Sequence, residues 1–204
     1  MVIRAIAGWA HAEGFMREIL VRMLGARAEP AAKMYAALRS SQVQISALSA
    51  AAECTLSPPR LELFKAIMKV AQPVARTRHR LAHDLWCYSD DLPDALLLLE
   101  TDAAFNFSIE RNRFRFSPNR TKLAAKLVGL EPPEFPIERV FVYRENDLQE
   151  IIRNTSEIQN YFAIFQDVVD LTSGTAESSY RELMLELPIQ ESVTRLRLQS
   201  GNGP

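Results

Sequence analysis

Two of the three histidines in this chain lie four residues apart, in the run Arg76-Thr77-Arg78-His79-Arg80-Leu81-Ala82-His83-Asp84-Leu85-Trp86. An imidazole takes or gives a proton near neutral pH. A guanidinium beside it can bind a phosphate and steady the charge that develops on it. Together they suit RNA transesterification, in which the substrate's own 2′-hydroxyl is the nucleophile and the protein moves protons and holds the phosphorane. General acid–base help of this kind contributes about 10²- to 10⁴-fold. Two alternatives stand beside this reading. Histidines four apart on one helical face can hold a metal. The zinc-hydrolase pattern, however, puts Glu after the first His, where this chain has Arg80. Arg78 and Arg80 would repel a dication, and only Asp84 and Cys87 lie near as further ligands, so no metal and no cofactor is expected. The plain alternative is a basic solvated face.

Arg78 is the misfit. It falls within the apolar stripe Val74, Ala75, Leu81, Ala82 and Leu85. A guanidinium has no neutral form to retreat to, so once buried it needs an anion. Glu13 lies on the stripe of an earlier helix with Ile6, Trp9, Met16 and Leu20, and is expected to face the same polar pocket unless it reaches out to solvent. A second basic feature is Arg111, Arg113 and Arg115, continued by Arg120, Lys122 and Lys126, with Phe114 and Phe116 interleaved. Read as an extended segment, it is a possible RNA track with bases stacked on the rings. Its plain reading is a charged strand edge over core phenylalanines.

The elements that must position these groups are mostly helices. Residues 4–24 form an amphipathic helix stopped by Gly25. A second helical region starts near Pro30 and is interruptible at Ser40-Ser41. A third is capped by Ser57, has Pro58 in its first turn and Glu62 supporting its N-terminus, and carries Pro73 inside, where a kink is expected. It ends near Trp86–Ser89. Ala95–Glu100 and Arg139–Tyr143 read as short antiparallel strands. Phe105–Phe116 reads as a hairpin or extended loop, Thr121–Val128 as one or two helical turns, and Pro132, Pro133 and Pro136 as a linker. A last long helix runs from about Asn146 or Asp147 to about Leu171. The expected fold is therefore mainly α: an antiparallel bundle of four or five helices over residues 1–171, with a two- or three-stranded β insertion at about 95–143. Residues 172–204 read as a partly flexible extension with a short helix at Ser178–Leu187 and a frayed end.

Composition agrees. The chain has 204 residues, 24 Lys and Arg against 25 Asp and Glu, and 48% apolar residues. That excludes global disorder. Seven glycines against eleven prolines argue against a glycine-rich phosphate loop or an all-β barrel. The apolar run Ala95–Leu99 is far short of the ~20 residues a membrane span needs. No convincing signal peptide opens the chain, so a cytoplasmic location is expected. Cys54 and Cys87 are too few for a disulfide framework and read as buried thiols in a reducing compartment. Charge is uneven: Glu145–Glu191 holds ten acids against two bases.

Arg78-His79-Arg80-Leu81-Ala82-His83 resembles the signature of the HEPN superfamily, whose commonest form is Arg-Asn-x-x-Ala-His near the end of a helix. His79 stands where Asn is usual. Trp9 and Glu13, Met23-Leu24-Gly25 and Trp86 also resemble the surroundings of that motif in a group of bacterial HEPN-like proteins. The resemblance covers roughly residues 4–100 and, more weakly, 140–171. It implies an up-and-down helical bundle that dimerises and a metal-independent endoribonuclease whose Arg–His pairs meet between two subunits. Arg78 would bind the scissile phosphate, His83 would transfer protons, and His79, Arg80 and Glu13 would support or position substrate. Products would carry a 2′,3′-cyclic phosphate and a 5′-hydroxyl. Other members are toxins with antitoxin partners. Still others are non-catalytic modules that bind a protein or nucleotide, which is the alternative function here.

Overall fold

A computed structural model describes residues 1–25, 28–38, 40–116, 132–170 and 174–199. Eight helices and three strands are present among them: α1 (Val2–Met23), α2 (Ala28–Ala37), α3 (Ser41–Thr55), α4 (Pro58–His83), β1 (Leu85–Cys87), β2 (Leu96–Leu99), α5 (Thr101–Phe116), β3 (Val140–Tyr143), α6 (Glu145–Val169), α7 (Ala176–Leu185) and α8 (Leu187–Gln199). The protein is mainly helical with one small antiparallel sheet. The chain divides into two compact units, Met1–Arg78 with Glu150–Pro204, and His79–Gln149.

The first unit draws on seven helices, because apolar positions at three- and four-residue spacing give each a face to bury. Trp9, Met16 and Ile19 of α1, Leu48 of α3, Phe64 and Ile67 of α4, and Phe162 and Phe165 of α6 form its core. Phe64 and Phe165 meet with ring centroids 5.8 Å apart. α1 and α6 approach closely at Gly8. A Cβ there would lie 3.0 Å from the Thr155 methyl, and the Gly8 carbonyl accepts the Gln159 amide. Gly25 ends α1 in the left-handed region, φ 59°, the conformation that favours glycine after a helix. α4 continues as helix through Pro73, where Thr77 Oγ1 donates to the Pro73 carbonyl at 3.1 Å.

The second helical region is two helices, α2 and α3, parted before Ser41 at the interruption the sequence allowed. Two expectations are corrected here. Residues 174–199 are no loose extension. They form α7 and α8, and Leu183, Ile189 and Val193 lie inside the core, with Ser192 Oγ donating to the Ala66 carbonyl at 3.3 Å. Glu62 does not serve its own helix end; Arg197 of α8 grips it in a two-pronged pair at 2.7 and 2.8 Å. That pair holds the Glu62 carboxyl below the usual carboxylate range, burial opposing. The expected end of the chain, 200–204, lies outside the described residues.

In the second unit the sheet has the order β1-β2-β3, all antiparallel. The anticipated pairing of the two later strands is present, with Leu96 opposite Tyr143 and Leu99 opposite Val140. β1 was not anticipated. α4 stops at His83, and Leu85–Cys87 pairs with Leu97–Leu99. Phe105–Phe116 is not a hairpin but part of α5. Alternating rings at 105 and 107 satisfy a strand pattern locally, but among the described residues the sheet has three strands and this segment is not one of them. Thr121–Val128 lies outside the described residues.

Candidate functional site

α4 ends in the second unit, and its last turn is fixed from three sides. Arg80 lays its guanidinium 3.9 Å over the Phe141 ring of β3, a cation–π contact. Trp86 of β1 folds its indole N–H back to donate to the Leu81 carbonyl at 3.3 Å. Thr101 Oγ1, at the start of α5, donates to the His83 carbonyl at 2.8 Å. Helix carbonyls at a C-terminus lack intrahelical partners, so these bonds finish the helix. Trp86, Leu98 and Phe141 are directly opposite one another across the strands, hence on one sheet face.

His79 and His83 are both exposed, with ring centroids 4.5 Å apart. Neither imidazole makes an ion pair or side-chain hydrogen bond among the described residues, so both are open to a ligand. Asp84 follows, with one carboxylate oxygen enclosed and without a hydrogen-bond donor. Among the described residues no group of three or more His, Cys, Asp and Glu is assembled that could hold a metal ion.

Arg78 closes the first unit. It is half-buried, its Nε is enclosed, and no acceptor or carboxylate partners it among the described residues. Glu13 is not that partner. Its Oε1 accepts the Trp9 indole N–H at 3.0 Å, one turn earlier on α1. A helical wheel gives the face of a residue but not its partner, and the local four-residue contact takes the carboxylate. Glu13 also acts on Tyr35 of α2. The phenol is buried and its hydroxyl has no hydrogen-bond partner. Burial, then the Glu13 charge, with Arg17 opposing, pushes its pKa up to about 12.

The proposed basic track changes shape. On a strand, Arg111, Arg113 and Arg115 would share a face. On α5 two residues turn about 200°, so Arg113 leaves opposite Arg111 and Arg115. The continuation at Arg120, Lys122 and Lys126 lies outside the described residues. Sequence reading also missed a cavity of about 430 Å³ in the second unit, lined by Glu100, Asp102, Glu110, Glu134, Glu138 and Arg139 among others. Arg139 is 3.2 Å from Glu100. Its carboxylates make this cavity unsuited to a polyanion.

Cys54 is exposed and Cys87 half-buried, so the expectation of two buried thiols fails for Cys54. No helix among the described residues is long and apolar enough to cross a membrane. No protein-family model, curated protein or solved structure matches the chain.

Proposed function

We propose that the protein is a metal-independent endoribonuclease acting as a homodimer, with Arg78 and His83 as its catalytic pair. The observation that carries the reading is Arg78, a half-buried guanidinium whose Nε–H has no acceptor among the described residues. Such a cation stays charged and gains most from an anion brought in from outside. A phosphodiester supplies one with several acceptor oxygens. Five helical positions turn a side chain by about 140°, so Arg78 and His83 leave α4 on different sides. A second copy of the helix end would bring the missing half of each pair. This agrees with the up-and-down, dimerising bundle that the HEPN resemblance implies.

In the proposed step the RNA 2′-oxygen forms a bond to phosphorus as an imidazole takes its proton. The bond from phosphorus to the 5′-oxygen breaks, and that oxygen receives a proton from the second copy's imidazole. The products are a 2′,3′-cyclic phosphate and a 5′-hydroxyl. Arg78 stabilises the extra charge on the phosphorane, and His79 and Arg80 support the substrate.

The test is cleavage of a structured RNA in EDTA by the purified chain. His83→Ala is expected to lose about 10²- to 10⁴-fold in rate, and Arg78→Ala to lose cleavage as well. If the His83→Ala protein cuts equally well, the mechanism is wrong. Binding of RNA without any cleavage by the native chain would leave the non-catalytic module.

A further inference from the structure

The chain has two tryptophans, and the fold treats them oppositely. Trp9 is 5% exposed inside the first unit, its N–H on Glu13. Trp86 is 54% exposed, three positions after His83. It sits on β1, an edge strand of the sheet. Within its cross-strand row, Leu98 is buried and Phe141 is covered by Arg80, so the open ring of the row is the indole. Its only donor is spent on the Leu81 carbonyl. What it has left to offer is carbon ring without a donor. Tyr88, two residues on, is 74% exposed. The bond to Leu81 holds the indole beside the end of α4 that carries the two imidazoles.

We infer that Trp86 is a stacking platform for the nucleobase next to the scissile phosphate, and that the substrate is therefore unpaired RNA. The inference rests on the endoribonuclease reading and adds the substrate class to it. A duplex keeps its base faces against one another, so only an unpaired base can lie on the indole. Base–aromatic stacking is sequence-tolerant, because every base has a π face. With the indole N–H engaged inside the protein, Trp86 has no donor with which to choose a base edge. The platform selects strandedness and not sequence. A protein ligand fits less well. The helix end to which the indole is tied carries His79, Arg80 and His83, groups suited to phosphate oxygens.

The experiment uses the full chain with an uncleavable ten-nucleotide 2′-O-methyl oligoadenylate, the matching oligouridylate, and the duplex of the two. Tryptophan fluorescence of the native protein is expected to be quenched by either single strand, and by the duplex only at concentrations at least tenfold higher. Trp86→Phe removes the quenching and retains most of the affinity measured by anisotropy of a labelled strand. Trp86→Ala, checked for folding by its thermal midpoint, weakens that affinity about tenfold or more. On cleavable single-stranded RNA its loss falls in KM more than in kcat, unlike that of His83→Ala. Fluorescence unchanged at saturating oligonucleotide overturns the inference, as does equal binding of strand and duplex. A signal that follows protein concentration and ignores RNA also overturns it and assigns the ring to a second copy. The two claims fail separately. Equal cutting of single strands and duplex removes the platform and keeps the nuclease. Trp86-dependent binding without cleavage does the reverse.

Discussion

At the scale of single residues, the unsatisfied atoms carry the most information. Arg78 was legible as a misfit from its stripe, a guanidinium among Val74, Ala75 and Leu81, although a basic solvated face was the plain alternative for the same run. Its relation to Glu13 was not legible. Tyr35 is a second unsatisfied group, and nothing in the sequence marked it, since a tyrosine on a helix stripe reads as core. Its hydroxyl has no partner, so Tyr35→Phe removes a desolvation cost of about 1–3 kcal/mol while keeping the ring. The folded-state pKa is raised to about 12, above the ordinary 10. A group shifted that way contributes stability that is complete below pH 10 and is lost as the pH climbs towards 12. Tyr35→Phe is therefore expected to be at least as stable as the native chain at pH 8. At pH 11 it should lose less than the native chain, measured by urea midpoints at the two pH values.

Among elements, the long helices were readable because their apolar positions recur over several turns. α5 was not, although its termini carried a signal: Asp102 in the first turn and Arg113 and Arg115 in the last complement a helix dipole. β1 is three residues long, too short for any alternation to register. The pairing of α8 with α4 through Arg197 and Glu62 was also hidden, since the partners are distant in sequence. The shift of Glu62 is downward, so its contribution is present above the ordinary value of 4.5 and lost as the pH falls through the lower folded-state value. Arg197 is half-exposed, which limits the pair to about 0.2–1 kcal/mol. Glu62→Gln should lower the thermal midpoint slightly at pH 7 and leave it unchanged near pH 3. An equal deficit at both pH values would mean that the packing, not the charge, matters.

At the scale of the whole molecule, the first unit is discontinuous in sequence, built from both ends of the chain around the second. Local patterns carry no trace of that. The long helix expected from about Asn146 supplies Phe162 and Phe165 to the core, and the segment read as an extension adds Leu183 to it. Leu183 is fully buried. Leu183→Ala is therefore expected to cost about 2–5 kcal/mol, read as a lowered denaturant midpoint of the first unit. A cost under 1 kcal/mol would return α7 to the status of an appendage. The two cysteines divide along the same line, with Cys54 exposed on α3 in one unit and Cys87 half-buried in β1 of the other. Each unit thus carries its own chemical handle, and the open thiol reacts before the sheltered one. Sequential attachment of two dyes turns that difference into a ruler for the spacing of the units as ligand is added.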